Sequence, residues 1–349
     1  MAIVLPNSLP PIFRAMITTE TLSRSAPTHD IELAIETYQL RKVYRTGFWL
    51  NRQIESLKEC TLQVEQGETF GLLGLNGAGK TTLLKTLLGI VKSTSGKGLL
   101  LGKPLGDRSV KQKIGYLPEN PYFYDFLTGW ELLEYTAGLF EIPYAVQKKR
   151  IPALLELVGL AQSAAKKKQL RQYSKGMVQR VGMAQALIND PELIFLDEPM
   201  SGLDPLGIKQ MREIIVSLGD AGKTVFFNSH VLAEVEQICS RVGILARGEL
   251  ICCGTLSDLL VNPVDMEQNS GRYYDVVGRG GNREVLDRWM SDITYQDDMW
   301  QGKLHGEPQE FLSTLRLLEA ELISLKQGRA SLEEFFMEQM EIRGIRSST

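Results

Sequence analysis

No stretch of this 349-residue chain approaches the roughly 20 consecutive apolar residues that cross a bilayer, so any attachment to a membrane has to come through a partner or a surface. Residues 1–30 hold three prolines before position 12 and no continuous apolar core of the kind a secretory signal needs; they read as a disordered arm. Cysteine is scarce. Cys60, Cys239, Cys252 and Cys253 lack C-x-x-C spacing, which argues against a zinc site or a disulfide framework and leaves them as small buried hydrophobes in a reducing compartment. Excess charge of one sign is missing too. The chain has 39 basic and 42 acidic side chains, a net charge of −3, and residues 261–349 hold 10 basic against 16 acidic ones. Neither the whole nor its tail has the basic balance of a nucleic-acid module. What remains is a globular composition, 43% hydrophobic and 23% charged, long enough for about two domains.

The stretch Phe70 to Thr82, FGLLGLNGAGKTT, organises the rest. Thr69 to Leu73 is a short apolar run suited to a buried strand, and Gly74-x-x-x-x-Gly79-Lys80-Thr81 fits the P-loop pattern. Glycines 74, 77 and 79 let the backbone turn tightly and aim N–H groups inward, so that Gly74, Leu75, Asn76, Gly77, Ala78 and Gly79 form a cradle for a polyphosphate. Lys80 reaches the β- and γ-phosphates, Thr81 offers a hydroxyl to Mg²⁺, and the helix that begins near Lys80 and includes Thr82 points its positive end at the anion. Strand, loop and apolar helix (Leu83, Leu84, Leu87, Leu88) follow in the required order. A single phosphate-loop match and no internal repeat are present.

Ile31 to Tyr38 alternates as a half-buried strand does, and Leu62 to Val64 continues a β-rich opening around a less regular insert. The insert's aromatics, Tyr44, Phe48 and Trp49, are placed either to stack on a base or to pack in a core. Ile114 to Leu117 reads as a strand ended by Pro118, after which Glu119 opens the aromatic-rich loop Pro121-Tyr122-Phe123-Tyr124-Asp125-Phe126. This loop is either locally packed or a docking surface. Residues 129–168 have helical spacing, with Leu132, Leu133, Tyr135 and Leu139 in one segment and Ile151, Leu154, Leu155 and Val158 in another. Their basic runs, Lys148 to Arg150 and Lys166 to Lys168, read as solvated faces, with anionic lipid a secondary role.

Leu193-Ile194-Phe195-Leu196-Asp197-Glu198-Pro199 is an apolar run ending in two acids, which fits a buried parallel strand. Ligands in open α/β sheets bind beyond the carboxyl ends of strands, which places Asp197 to hold Mg²⁺ and Glu198 to accept a proton from an attacking water; a helix N-cap is the rival role for either acid. Thr224 to Asn228 repeats the pattern and delivers Ser229 and His230. Val242 to Ala246 and Glu249 to Cys252 flank Arg247-Gly248 as a hairpin with a two-residue turn. From Asn262 to Arg272 the texture becomes that of a linker. Beyond it Tyr273 to Val277 is strand-like, Arg283 to Met290 helical, and Glu310 to Leu325 reads as one amphipathic helix with Phe311, Leu312, Leu315, Leu318 and Leu322 on its apolar face. Ser331 and Glu334 form a capping-box pattern before a last helix.

Between the two phosphate anchors lies Tyr173-Ser174-Lys175-Gly176-Met177, and here the chain resembles the ATP-binding cassette (ABC) ATPases over about residues 31–260. The resemblance implies an α/β fold: a P-loop cassette with a mostly parallel core sheet, an antiparallel β subdomain and a helical signature subdomain. A small α+β domain over 265–349 would follow it. By position, Ser174 and Gly176 match the signature that faces a nucleotide held by the other protomer. Tyr44 matches the adenine-stacking aromatic, Ser201 to Asp204 the loop that crosses the dimer interface, and His230 the residue that senses the γ-phosphate. Glu119 stands where the family usually has a metal-touching glutamine, while Lys175 and Met177 replace the usual Gly and Gln. The wording GLLG-x-NGAGKTT and the final Ser-Leu-Glu-Glu-Phe-Phe resemble exporter subunits with a separate multi-span membrane permease. The implied activity is ATP hydrolysis with ATP and Mg²⁺ by Glu198, His230 and Lys80. The metal falls to Thr81, Asp197 and Glu119, and the nucleotide to Tyr44, the loop 74–82, Ser174, Gly176 and Asp204. Two cassettes close head to tail on the cytoplasmic face of the membrane. The rival readings are a regulatory cassette without transport and a nucleotide-binding scaffold that hydrolyses poorly; a GTPase lacks its Asn-Lys-x-Asp segment here.

Overall fold

A fourteen-residue strand, β1 (Leu33–Thr46), pairs antiparallel with β2 (Arg52–Glu65). The computed structural model describes residues 32–46, 52–260, 273–305, 308–318, 320–327 and 331–345; the arm expected over 1–30, the aromatics Phe48 and Trp49 and the linker expected from Asn262 to Arg272 lie outside them. The expected irregular insert after Tyr38 is therefore largely strand. Its polar hairpin arms lack the apolar alternation that marks a strand in sequence, and cross-strand pairs such as Arg41 to Glu55, 2.5 Å apart, stand in for it.

β3 (Thr69–Leu73) leads into the phosphate loop and helix α1 (Lys80–Leu87). β4 (Ser95–Leu100) and β5 (Lys103–Pro104) return to β1, giving an antiparallel sheet ordered β2-β1-β4-β5. β6 (Ile114–Leu117) is followed by helices α2 (Gly129–Leu139), α3 (Tyr144–Leu157), α4 (Gln162–Lys167) and α5 (Lys175–Ala186). The chain then runs through β7 (Leu193–Asp197), α6 (Pro205–Asp220), β8 (Thr224–Ser229), α7 (Leu232–Ile238), β9 (Arg241–Ala246) and β10 (Glu249–Thr255). The second sheet is ordered β10-β9-β3-β8-β7-β6, and its β9/β3, β3/β8, β8/β7 and β7/β6 pairs are parallel. The Arg247–Gly248 turn between β9 and β10 has positive φ at both residues, 49° and 83°, as a hairpin turn that matches strand twist requires.

β7 and β8 are buried along their whole length, which is why they read as unbroken apolar runs rather than as alternating ones. Leu83, Leu84 and Leu87 of α1 share one core with Ile35 and Leu62 of the antiparallel sheet and with Phe70, Phe195 and Phe226 of the parallel one. The helix that follows the phosphate loop is thus clamped between two sheets. Register sets the site, because Leu73 lies opposite both Ser229 and Ile244, and Asp197 lies opposite Asn228. β3, β7 and β8 end at one edge. Among the cysteines, Cys60 and Cys239 are buried as expected, but Cys252 is half-buried and Cys253 exposed; β10 is an edge strand without a fully buried residue. Tyr135 and Leu139 of α2 are also exposed, at 50% and 67%, whereas Leu132 and Leu133 are buried.

A division between Gly254 and Thr255 separates this unit from a second one. The second contains α8 (Leu256–Leu260), β11 (Tyr273–Arg279), α9 (Arg283–Trp289), β12 (Met290–Gln296), β13 (Met299–His305), α10 (Pro308–Leu317), β14 (Glu321–Gln327) and α11 (Leu332–Ile342). Its sheet, β12-β13-β11-β14, is antiparallel throughout. With the element order βαββαβ this is a ferredoxin-like split βαβ arrangement, and that arrangement alone assigns no function. The single helix expected over Glu310–Leu325 is corrected here: α10 stops at Leu317, and Glu321–Gln327 is a strand. Leu322 and Leu325 reach the core from β14, because pairing with β11 completes the sheet and tertiary context overrides a helical spacing. The capping box at Ser331 and Glu334 is formed as the sequence predicts.

Phe311 is fully buried against Trp289 and Trp300, with ring centroids 5.9 and 6.3 Å away. Phe311→Ala is expected to destabilise this unit by about 3–5 kcal/mol. Tryptophan fluorescence during urea unfolding of the full chain reads it out through those two neighbours, and a midpoint unchanged from wild type would contradict this packing.

Candidate nucleotide site

The phosphate loop is pinned before any ligand arrives. A Cβ on Gly74 would lie 2.3 Å from the Leu245 carbonyl oxygen, and one on Gly79, where φ is 108°, would lie 2.5 Å from that of Ser56. Both positions therefore require glycine sterically, the second also conformationally. The Gly248 N–H donates to the Ala78 carbonyl at 2.8 Å, tying the loop to the β9–β10 turn. Leu75, Asn76, Gly77, Ala78, Gly79, Lys80, Thr81 and Thr82 line one cleft together with Ser56, Glu119, Glu198 and His230.

The Lys80 ammonium is nearly buried. It donates to the Gly74 carbonyl at 2.6 Å and lies 3.7 Å from Glu198 Oε1. Burial lowers its pKa below the ordinary lysine range, against the pull of Glu198, Asp197 and Glu119 in the other direction. Glu198 adopts a left-handed backbone with φ of 49°, a strained conformation of the kind found at functional sites. Its other carboxylate oxygen is 2.8 Å from His230 Nδ1, so one carboxylate links the phosphate-loop lysine to the histidine at the end of β8.

Asp197 sits beneath, 2% exposed. Its Oδ1 accepts from the Asn228 amide at 2.7 Å and from the Thr81 hydroxyl at 3.5 Å. Burial raises its pKa, Asn228 opposes that, and Glu119 and Glu198 add to it. Neither Asp197 nor Glu198 caps a helix, which disposes of the structural alternative for both. Thr81 and the Asp197 and Glu119 carboxylates form a hard-oxygen donor set that suits Mg²⁺. Among the described residues no group of three or more His, Cys, Asp or Glu could hold a metal ion, and a Mg²⁺ at these groups would draw further oxygens from a bound polyphosphate. Glu119 is fixed through its backbone, whose carbonyl accepts from the buried Gln179 side chain at 3.1 Å.

Four predicted residues stand apart from this cleft. Tyr44 is on β1 opposite Ile54, its ring 4.9 Å from the Lys42 ammonium. Ser174 caps α5, accepting from Met177 N–H at 3.3 Å. Gly176 lies against Leu203, and the Lys175 side chain lies over Gly202, so the signature packs on the loop 201–204 of its own chain. Asp204 is exposed and caps α6, accepting from Gly207 N–H at 2.9 Å. Two residues escape the sequence reading. Ser56 is bonded to Thr82 through their hydroxyls at 2.8 Å, and nothing in the polar hairpin around it signals that. Asn228 is visible only as the polar end of an apolar strand.

Residues 57–201 match the family model described as "ABC transporter". An ABC transporter ATP-binding protein of a Nostoc species is 59% identical over 324 residues, 93% of this chain and 94% of that one. The chain belongs to the ABC transporter ATP-binding proteins. The bacitracin transport ATP-binding protein BcrA of Enterococcus faecalis is 38% identical over 274 residues, 76% of this chain and 83% of that one. Among solved structures, a dimeric ATP-binding cassette in a post-hydrolysis state with ADP and phosphate is 25% identical, with a TM-score of 0.58 over 64% of this chain and 98% of that one. As an ABC transporter ATPase the cassette hydrolyses ATP. Its P-loop fold, mixed sheet and helices are those of the family, and no helix among the described residues is long and apolar enough to cross a membrane.

Proposed function

We propose that this ABC ATPase drives export through a separate multi-span membrane subunit, with two copies closing head to tail on two ATP molecules at the cytoplasmic face of the membrane. The observation that carries the catalytic part is the chain from Lys80, ion-paired to Glu198 at 3.7 Å, through Glu198 to its hydrogen-bonded partner His230, set at the shared edge of β3, β7 and β8. Export is supported by the likeness to a bacitracin transport ATP-binding protein. The loop 74–82 binds the phosphates through backbone N–H groups, and Lys80 neutralises charge on the β- and γ-oxygens. Thr81, Asp197 and Glu119 would hold Mg²⁺, which would stabilise the charge spread over the transferring phosphate. Glu198 orients the attacking water and takes its proton, and His230 fixes that carboxylate. Tyr44 stacks on the adenine.

Ser174, Gly176 and Asp204 act on the partner's nucleotide. That role is supported by their separation from the cleft of their own chain and by the helix N-terminus Ser174 caps. The membrane subunit docks on the loop after Glu119. Tyr122, Tyr124 and Phe126 are 98%, 58% and 59% exposed, and the Tyr124 ring lies 5.8 Å from Phe126 and 6.3 Å from Tyr135. A contiguous exposed aromatic surface of this kind marks an interface.

Tyr122→Asp combined with Tyr124→Asp is expected to abolish co-purification with the membrane subunit, a loss of about 2 kcal/mol or more at a central aromatic contact. Equilibrium ATP binding should stay within about twofold, since neither ring lines the cleft. Retention of the membrane subunit by the double variant would overturn this docking surface. Failure of the wild-type chain to recover any multi-span protein from its own membranes would overturn the export reading itself.

A further inference from the structure

The two acids at the end of β7 are held by one buried amide. Asn228, on the adjacent strand β8, is 0% exposed and lies directly opposite Asp197. Its Nδ2 donates to Asp197 Oδ1 at 2.7 Å, while its Oδ1 accepts from the backbone N–H of Glu198 at 2.9 Å. The Asn228 carbonyl accepts from that same N–H at 3.2 Å. Glu198 is the residue that leaves the strand in a left-handed conformation, φ 49°, and such a turn persists only where its surroundings over-determine it. The amide therefore orients the side chain of one acid and fixes the backbone of the next.

We infer that Asn228 is the positioning residue of the hydrolytic site: its amide donor aims the Asp197 carboxylate at the cation, and its amide acceptor holds the turn that aims Glu198 at the water. Aspartate keeps the acceptor and loses the donor, leucine keeps the volume and loses both, and serine is too short to span the two groups at once. An amide rather than a carboxylate also avoids adding a fourth negative charge beside Asp197, Glu198 and Glu119. Groups that hydrogen-bond a ligating carboxylate typically change cation affinity or activity about tenfold to 100-fold when removed. This inference rests on the roles given above to Asp197 and Glu198.

The test uses the full-length chain in the Asn228→Asp and Asn228→Leu forms. Binding of a fluorescent ATP analogue in EDTA reports whether the phosphate loop is intact. Mn²⁺ affinity of the ADP-bound protein is then measured by electron paramagnetic resonance, and kcat and KM by phosphate release. Both variants are expected to bind nucleotide in EDTA as wild type does and to weaken Mn²⁺ binding about tenfold to 100-fold. Asn228→Leu should in addition lower kcat by a similar factor at saturating cation, because only it removes the side-chain acceptor from the Glu198 N–H and leaves the turn to the longer 3.2 Å backbone bond alone. Wild-type Mn²⁺ affinity in both variants overturns the inference, as does loss of EDTA nucleotide binding in both, which makes Asn228 a folding residue. Glu198→Gln is run beside them. Full turnover in that variant removes the catalytic role of Glu198 itself, whereas lost turnover there beside normal cation loading in the Asn228 variants removes this inference alone.

Discussion

Glu198→Gln is expected to lower steady-state ATP turnover by about 100-fold to 10,000-fold, the range a positioned general base contributes, while ATP stays bound. Glutamine preserves the shape of the side chain and an oxygen for His230 Nδ1, now 2.8 Å from Glu198 Oε2, but it cannot take a proton from water. It also removes the carboxylate that lies 3.7 Å from the Lys80 ammonium, so phosphate no longer competes with a fixed anion for that lysine. Nucleotide affinity should therefore hold or rise, and the two copies should stay closed on ATP. Phosphate release measures the first effect and light scattering of the ATP-loaded protein the second. Turnover within about threefold of wild type would strip Glu198 of its role.

Lys80→Ala acts on binding instead. The ammonium is almost fully buried at the base of the cleft, so its removal leaves phosphate oxygens in a desolvated place without their counter-charge. A loss of about 2–5 kcal/mol, or roughly thirty-fold to several-thousand-fold in Kd, is expected. The pH dependence has a definite sign. Lysine binds phosphate when protonated, and burial holds its pKa below the ordinary value, while Glu198 is the largest opposing influence. In the wild type, ATP affinity should fall on the alkaline side through that lowered pKa. In Glu198→Gln, which removes the group that raises it, the fall should begin at lower pH. Isothermal titration across pH reads both; an alkaline limb that does not move in Glu198→Gln would contradict the 3.7 Å pairing.

The parts of this protein that the sequence revealed are those where burial or backbone geometry leaves few choices of residue. The loop from Gly74 to Gly79 is legible because two of its glycines are enforced by carbonyl oxygens within 2.5 Å of any Cβ. Asp197 and His230 are legible because β7 and β8 are buried on both faces and end in polar residues at one edge. The hairpin arm from Tyr38 to Leu62 was not, since its strand character comes from pairing rather than from apolar alternation. Leu318 and Leu322 extend the helical spacing of Phe311 and Leu315, yet β14 is taken up by the sheet, a choice made by long-range hydrogen bonds that local periodicity does not contain. The hydrogen-bonding roles of Asn228 and Ser56 are not legible for a related reason. A polar residue inside a hydrogen-bonded pair looks, in one dimension, like any strand end.

If each nucleotide is completed by Ser174 of the other copy, as proposed above, mixing two inactive proteins tests it most directly. A Ser174→Arg chain keeps its own phosphate loop, and a Lys80→Ala chain keeps its own signature. In a mixed pair one cleft has both parts whole and the other has neither. Each parent alone should be inactive, and an equimolar mixture should regain about a quarter of the wild-type rate, since half of randomly formed pairs are mixed and each of these holds one whole site. A Ser174→Arg parent that hydrolyses ATP at the wild-type rate, with a mixture that never exceeds the sum of its parents, would contradict it.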